Sequence, residues 1–140
     1  CALPISDRSL IEVRSLPEGQ GSLEDLDSAF RRLAWVRVAE DLPEDPLIHA
    51  CALTYVSDLG MVSTALNPHQ DVRKSLQIAS IDHAMWFHAP INVHQWLLFD
   101  QDTPVARGGH GLARGLFYSG DGVLVASVIQ EGLMRTRREP

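Results

Sequence analysis

Across residues 46–66 the chain reads PLIHACALTYVSDLGMVSTAL, and apolar residues occupy almost every helical phase. Leu47, Ile48, Ala50, Ala52, Leu53, Val56, Leu59, Val62 and Leu66 do not fall on one stripe. Such a pattern predicts a helix enclosed by protein rather than laid on a surface. Pro46 suits its first turn, and Asn67-Pro68 ends it. The other apolar runs are short or alternating and read as strands. Two precede the helix, at residues 9–13 and 33–39. Four follow it, at residues 76–88, 96–102, 111–118 and 123–134, with Gly120-Asp121-Gly122 as a tight connection between the last two. Residues 15–28 are polar, Gly-containing and acidic, and read as a loop or linker.

This order predicts an α+β fold in which an antiparallel β-sheet wraps one long central helix, the hot-dog arrangement. Too few strands are present to close a barrel around the helix. At 140 residues and 45% hydrophobic, the chain is expected to form a single domain, residues 1–140, with a real core. No stretch of ~18 apolar residues predicts a membrane span. The formal net charge of −6 argues against a nucleic-acid-binding surface.

The two cysteines make no disulfide framework. Cys51 lies in the apolar helix, where a free thiol is expected to behave as a small hydrophobe. A reducing compartment, the cytoplasm, is the simpler expectation, and no cationic segment followed by an apolar one marks secretion. Because the chain opens on Cys1, it is expected to be trimmed or part of a longer polypeptide. Arg135, Arg137 and Arg138 cluster near the other end, either solvated or facing a ligand phosphate.

Three polar residues interrupt apolar patterns. Asp58 is the lone acid of the helix, with Cys51, Thr54, Tyr55, Met61 and Val62 as neighbours by helical spacing. A buried carboxylate must be paired, hydrogen-bonded or put to use, so a structural role and a catalytic one both stand. Gln130 shares the more apolar face of its strand with Leu124, Ala126, Val128 and Gly132, where its amide either bridges strands or serves a site. Ser80 and Asp82 point one way from the strand at 76–88, roughly 7 Å apart. By the same alternation His83 points the other way and forms no simple acid–His pair with Asp82.

Other constellations are missing. No G-x-S-x-G supports a nucleophile elbow. His83 and His88 are expected on opposite faces, which disfavours zinc. Gly108-Gly109-His110-Gly111 leads into a strand, so it reads as a bulge or a close backbone approach rather than a phosphate loop.

The run IASIDHAMWFHAPINVHQWLLFDQDTP resembles the C-terminal half of the type II acyl-CoA thioesterases, the TesB family. Residues 42–66 and 111–135 are similar to it as well. The block from Asp82 to His88 and the closing Val-x-Gln-Glu-Gly of Val128 to Gly132 are specific to it. The resemblance implies a fold of two tandem hot-dog halves, of which this chain corresponds to the second. A complete site then needs an N-terminal half or a second copy, and a homo-oligomer is expected because half a double hot dog exposes a sheet edge and an apolar face.

The family's catalytic Asp, Ser or Thr, and Gln correspond to Asp58, Ser80 and Gln130, the residues that broke the apolar patterns. Asp82 and His83 belong to the signature as supporting or structural groups. The resemblance implies hydrolysis of acyl-CoA thioesters to fatty acid and CoA, without a metal or redox cofactor. In that scheme Asp58, raised in basicity by desolvation, takes a proton from a water that Ser80 and Gln130 direct, and the acyl chain enters an apolar channel beside the helix. One alternative is a non-catalytic acyl-CoA-binding or assembly half. Another is an enoyl-CoA hydratase, disfavoured because no His follows Asp58 in Leu59, Gly60, Met61 and Val62.

Overall fold

The computed structural model describes residues 10–16, 30–69 and 75–136. Its strands are β1 (Ile11–Ser15), β2 (Arg31–Val38), β3 (Leu76–Ser80), β4 (Ala84–Phe87), β5 (Leu97–Arg107), β6 (His110–Tyr118) and β7 (Leu124–Thr136). Two α-helices, α1 (Pro46–Asp58) and α2 (Met61–Thr64), and a short 3-10 helix (Asn67–His69) fall between β2 and β3. Every strand pairing is antiparallel, in the order β1-β2-β5-β6-β7-β3, with β4 also on β7. The sheet curls about the helix, which is the α+β hot-dog arrangement that the element order predicts. The expected loop or linker at 15–28 lies outside the described residues from position 17 onward.

Local chemistry sets the helix. The Asp45 side chain accepts from the Leu47 N–H at 2.8 Å, and Pro46 fills the first turn, where its missing N–H costs nothing. Farther along, the Nδ1 of buried His49 accepts from the Val93 N–H at 3.2 Å, tying the helix to the segment before β5. Leu53 and Val56 enter a core with Val36, Phe99, Phe117 and Val128. Phe99 and Phe117 are cross-strand partners, stacked 3.9 Å apart and 12° from parallel. Buried Thr64 donates to Gln101 Oε1 at 2.9 Å, so α2 is fastened to β5.

Two expectations for the helix need correction. It is not one piece, because the backbone turns extended at Leu59 and Gly60 takes φ 86°, a left-handed conformation that L side chains resist. Nor is it fully enclosed. His49, Leu53, Val56 and Ser57 are buried, whereas Leu47 is 71% and Tyr55 49% exposed. Cys51 is a free, exposed thiol rather than a buried hydrophobe. The even apolar pattern reports how much surface favours cover, and the described residues cover one side of it.

The single strand expected at 76–88 is two strands. Both pair with β7, but Ser80 lies opposite Gly132 and Ala84 opposite Ile129. Four steps on one side match three on the other, so a β-bulge holds one extra residue. Here Ile81 N–H bonds Glu131 O at 2.8 Å, while the Glu131 N–H is taken by the Asp82 carboxylate at 2.8 Å. A second bulge, between Asp102 and Val105, lets β5 run past Pro104, which has no N–H for the ladder. Gly108 and Gly109, at φ 64° and 80°, form the two-residue turn into β6. Behind them, a Cβ on Gly111 would lie 2.6 Å from Ala65 Cβ, the close approach that the glycine run suggests.

Gly115 marks the tightest packing. A Cβ there would overlap Phe99 Cε2 and lie 2.8 Å from Val128 Cγ1. Gly115→Ala is expected to lower the unfolding free energy by about 1–3 kcal/mol through overpacking. Urea denaturation measures this, and an unchanged midpoint would contradict the close approach of β6 to the Phe99 ring.

Candidate active site

Asp58, Ser80 and Gln130 come from three different elements. Asp58 is the last residue of α1, Ser80 the last of β3, and Gln130 lies inside β7. Asp58 reaches the sheet because α1 stops there. Ser80 and Gln130 share a face because Ser80 pairs with Gly132, two residues along β7 from Gln130.

One amide nitrogen joins all three side chains. Gln130 Nε2 donates to Asp58 Oδ1 at 2.6 Å and to Ser80 Oγ at 2.9 Å. Turning the amide over would set Oε1 against the carboxylate, so its orientation is determined by its neighbours. Both N–H groups are therefore engaged, and Oε1 is buried without a partner among the described residues. Ser80 accepts a hydrogen bond from Gln130 and keeps its own O–H to donate. Gln130 is 1% exposed, but the Asp58 side chain is 62% exposed. The expected desolvation of Asp58 is thus not supplied by the described residues, because the open side of α1 ends at this carboxylate.

His83 also lies at the site, contrary to the simple alternation. Its Nε2 is 2.9 Å from Ser57 Oγ, and its Nδ1 is 3.8 Å from Asp58 Oδ1. The bulge supplies the reason. Counting back one place from the Ala84 and Ile129 pair sets His83 opposite Gln130. The extra residue shifts the phase, turning His83 inward while Asp82 stays at the strand edge. The acid that His83 meets is Asp58 rather than Asp82. No residue pattern announces the bulge, so sequence reasoning leaves His83 among the supporting groups.

Among the described residues, no group of three or more His, Cys, Asp or Glu is placed to hold a metal ion. His83 and His88 go to different partners, Ser57 and Ser127. The geometry offers a carboxylate open to solvent, a hydroxyl with a proton to donate, and a rigid amide linking them. That set can orient a small nucleophile such as water and accept its proton.

Residues 19–133 match the sequence profile of the family described as acyl-CoA thioesterase. Acyl-coenzyme A thioesterase 8 of Mus musculus is 40% identical over 108 residues, covering 76% of this chain and 34% of that protein. Acyl-CoA thioesterase 2 of Haemophilus influenzae is 40% identical over 104 residues, covering 73% of this chain and 36% of that protein. The chain therefore spans about a third of the length of these curated relatives. Among solved structures, the acyl-CoA thioesterase II TesB2 of Mycobacterium marinum superposes with a TM-score of 0.84 at 40% identity, covering 98% of this chain and 55% of that one. A hot-dog protein of Alicyclobacillus acidocaldarius, at 22% identity and a TM-score of 0.64, shares the fold, with 93% of this chain and 47% of that one covered. By sequence and by fold, the chain belongs to the acyl-CoA thioesterase family.

Proposed function

We propose that this chain carries the hydrolytic groups of an acyl-CoA thioesterase, which converts acyl-CoA and water to fatty acid and CoA. The observation that carries this reading is the pair of hydrogen bonds that Gln130 Nε2 donates to Asp58 and Ser80. A water resting on the open side of Asp58 loses a proton to the carboxylate as its oxygen bonds the thioester carbonyl carbon. The Ser80 O–H directs that water. Gln130 acts through the two groups it fixes, since neither of its N–H groups is free. The leaving thiol has an acidity near that of cysteine, roughly pKa 8.5, so it departs as thiolate without a strong general acid. Neither a metal nor a redox cofactor is required by this chemistry.

The same reading calls for a second hot-dog half, either an N-terminal one or another copy of this chain in a homo-oligomer. Leu47, Tyr55 and Leu59 on the helical segment and Ile81, Trp86 and Phe87 along β3–β4 are exposed. Covering them would shelter the acyl chain and exclude water around Asp58. The proposed setting is the reducing cytoplasm, in keeping with the free thiol of Cys51. Among the described residues, no helix is long and apolar enough to cross a membrane.

The exposure of Asp58 favours one second reading, a half that binds acyl-CoA or assembles without catalysing. Incubation with an acyl-CoA and a thiol reagent separates the two. Ligand binding by a folded protein without thiol release supports the second.

Asp58→Asn keeps the shape of the side chain but not its basicity, and it is expected to lower thiol release by about 10²–10⁴-fold with an unchanged circular dichroism spectrum. Near wild-type turnover would remove Asp58 from the mechanism. Gln130→Met gives a different signature. It removes a buried unpaired acceptor together with two donors, and Asp58 and Ser80 are exposed enough to be solvated in their place. Stability is therefore expected to change by less than about 1.5 kcal/mol, while hydrolysis falls strongly. A large loss of stability with full activity per folded molecule would make Gln130 a structural bridge.

A further inference from the structure

We propose that His83 is a positioning residue acting through Asp58, held as the tautomer that receives the proton Asp58 takes from water. This rests on the hydrolytic reading above. Ser57 is fully buried, and its one hydroxyl proton has Thr54 O at 2.7 Å as the nearer acceptor, with the Met85 sulfur farther off at 3.7 Å. With that proton on the Thr54 carbonyl, Ser57 Oγ accepts from His83 Nε2, 2.9 Å away. That arrangement sets the ring hydrogen on Nε2 and turns the Nδ1 lone pair toward Asp58.

Nδ1 is buried, has no hydrogen-bond partner among the described residues and lies 3.8 Å from Asp58 Oδ1. A lone pair facing a carboxylate gains nothing while both can only accept. One proton between them turns the contact into a charge-assisted hydrogen bond. Asp58 acquires that proton when it deprotonates water. The pair thus suits the state after proton removal better than the state before it, which is where stabilisation accelerates a reaction. Catalytic contacts commonly tighten in the substrate complex, and a closure of about 1 Å suffices here.

The proton balance closes. The water O–H bond breaks, its oxygen bonds the carbonyl carbon, and the proton passes through the Asp58 carboxyl to Nδ1, leaving an imidazolium beside a carboxylate. Collapse of the tetrahedral adduct breaks the C–S bond, and its electron pair leaves on sulfur. The imidazolium returns the proton through Asp58 to the thiolate or to solvent.

The groups around the ring are Asp58 and Ser57 of α1, Met85 of β4, whose sulfur lies 3.7 Å from Ser57 Oγ, and the neutral Ser80 and Gln130 joined to Asp58. Among the described residues, Asp58 is the carboxylate within ion-pair distance of the ring.

His83→Gln is the informative variant, because a glutamine amide can keep the donor to Ser57 while removing the acceptor at Nδ1. It is expected to lower kcat by about 10–100-fold, with KM for acyl-CoA within about twofold and a reduced solvent deuterium isotope effect on kcat. A purely structural His83 predicts wild-type kcat in this variant, and that result would overturn the proposal. If His83→Gln fails to fold, ¹⁵N chemical shifts of the unaltered chain decide. A protonated Nε2 with an unprotonated Nδ1 supports the proposal, and the opposite tautomer refutes it. Wild-type turnover in Asp58→Asn would refute the hydrolytic reading itself. An inactive Asp58→Asn beside a fully active His83→Gln would refute the role of His83 alone.

Discussion

The site depends on one amide group. Gln130 has two N–H donors, and both are engaged, one with a carboxylate from the end of a helix and one with a hydroxyl from the end of a strand. This bonding couples three elements far apart in sequence. It is also costly, because the Oε1 of the same amide is buried and has no partner among the described residues. A buried acceptor without a partner costs on the order of 1–3 kcal/mol. An apolar side chain of similar volume would avoid that cost, so a glutamine here is better explained by what it holds than by what it contributes to stability.

The elements around it serve that placement. α1 is stopped by the left-handed Gly60, so Asp58 stands at an end and not midway along a helix. β3 and β4 run along the same edge of β7 with one residue in excess, and the excess turns His83 toward Asp58. The Asp82 carboxylate takes the Glu131 N–H that the skipped ladder would leave unpaired, so the bulge carries its own compensation. Beneath these, the Phe99 and Phe117 stack and the close approach at Gly115 keep β5, β6 and β7 in fixed register.

Much of this was legible in the residues. Alternation along β7 placed Gln130 on the more apolar face, and the family resemblance singled out Ser80, whose place beside Gln130 comes from the β3–β7 pairing of the structure. Asp58 stood out as the lone acid among apolar neighbours. Two features were not legible, for physical reasons. Alternation assumes one residue per pairing step, and a bulge shifts the phase by one without marking itself in the sequence, which hid His83. Apolar character on all sides of a helix indicates surface that favours burial, but it does not say which chain buries it. Hence the enclosed helix of the sequence is half open in the structure, with Asp58 at the end of its open side.

In the proposed hydrolysis that openness poses one chemical question, whether Asp58 would remove a proton from water or attack the thioester itself. A single turnover in H₂¹⁸O, with the active protein in excess over acyl-CoA, followed by mass spectrometry of the fatty acid and of the peptide containing Asp58, answers it. The account predicts one ¹⁸O in the released carboxylate and none in Asp58. Unlabelled fatty acid with ¹⁸O in the Asp58 side chain would contradict it.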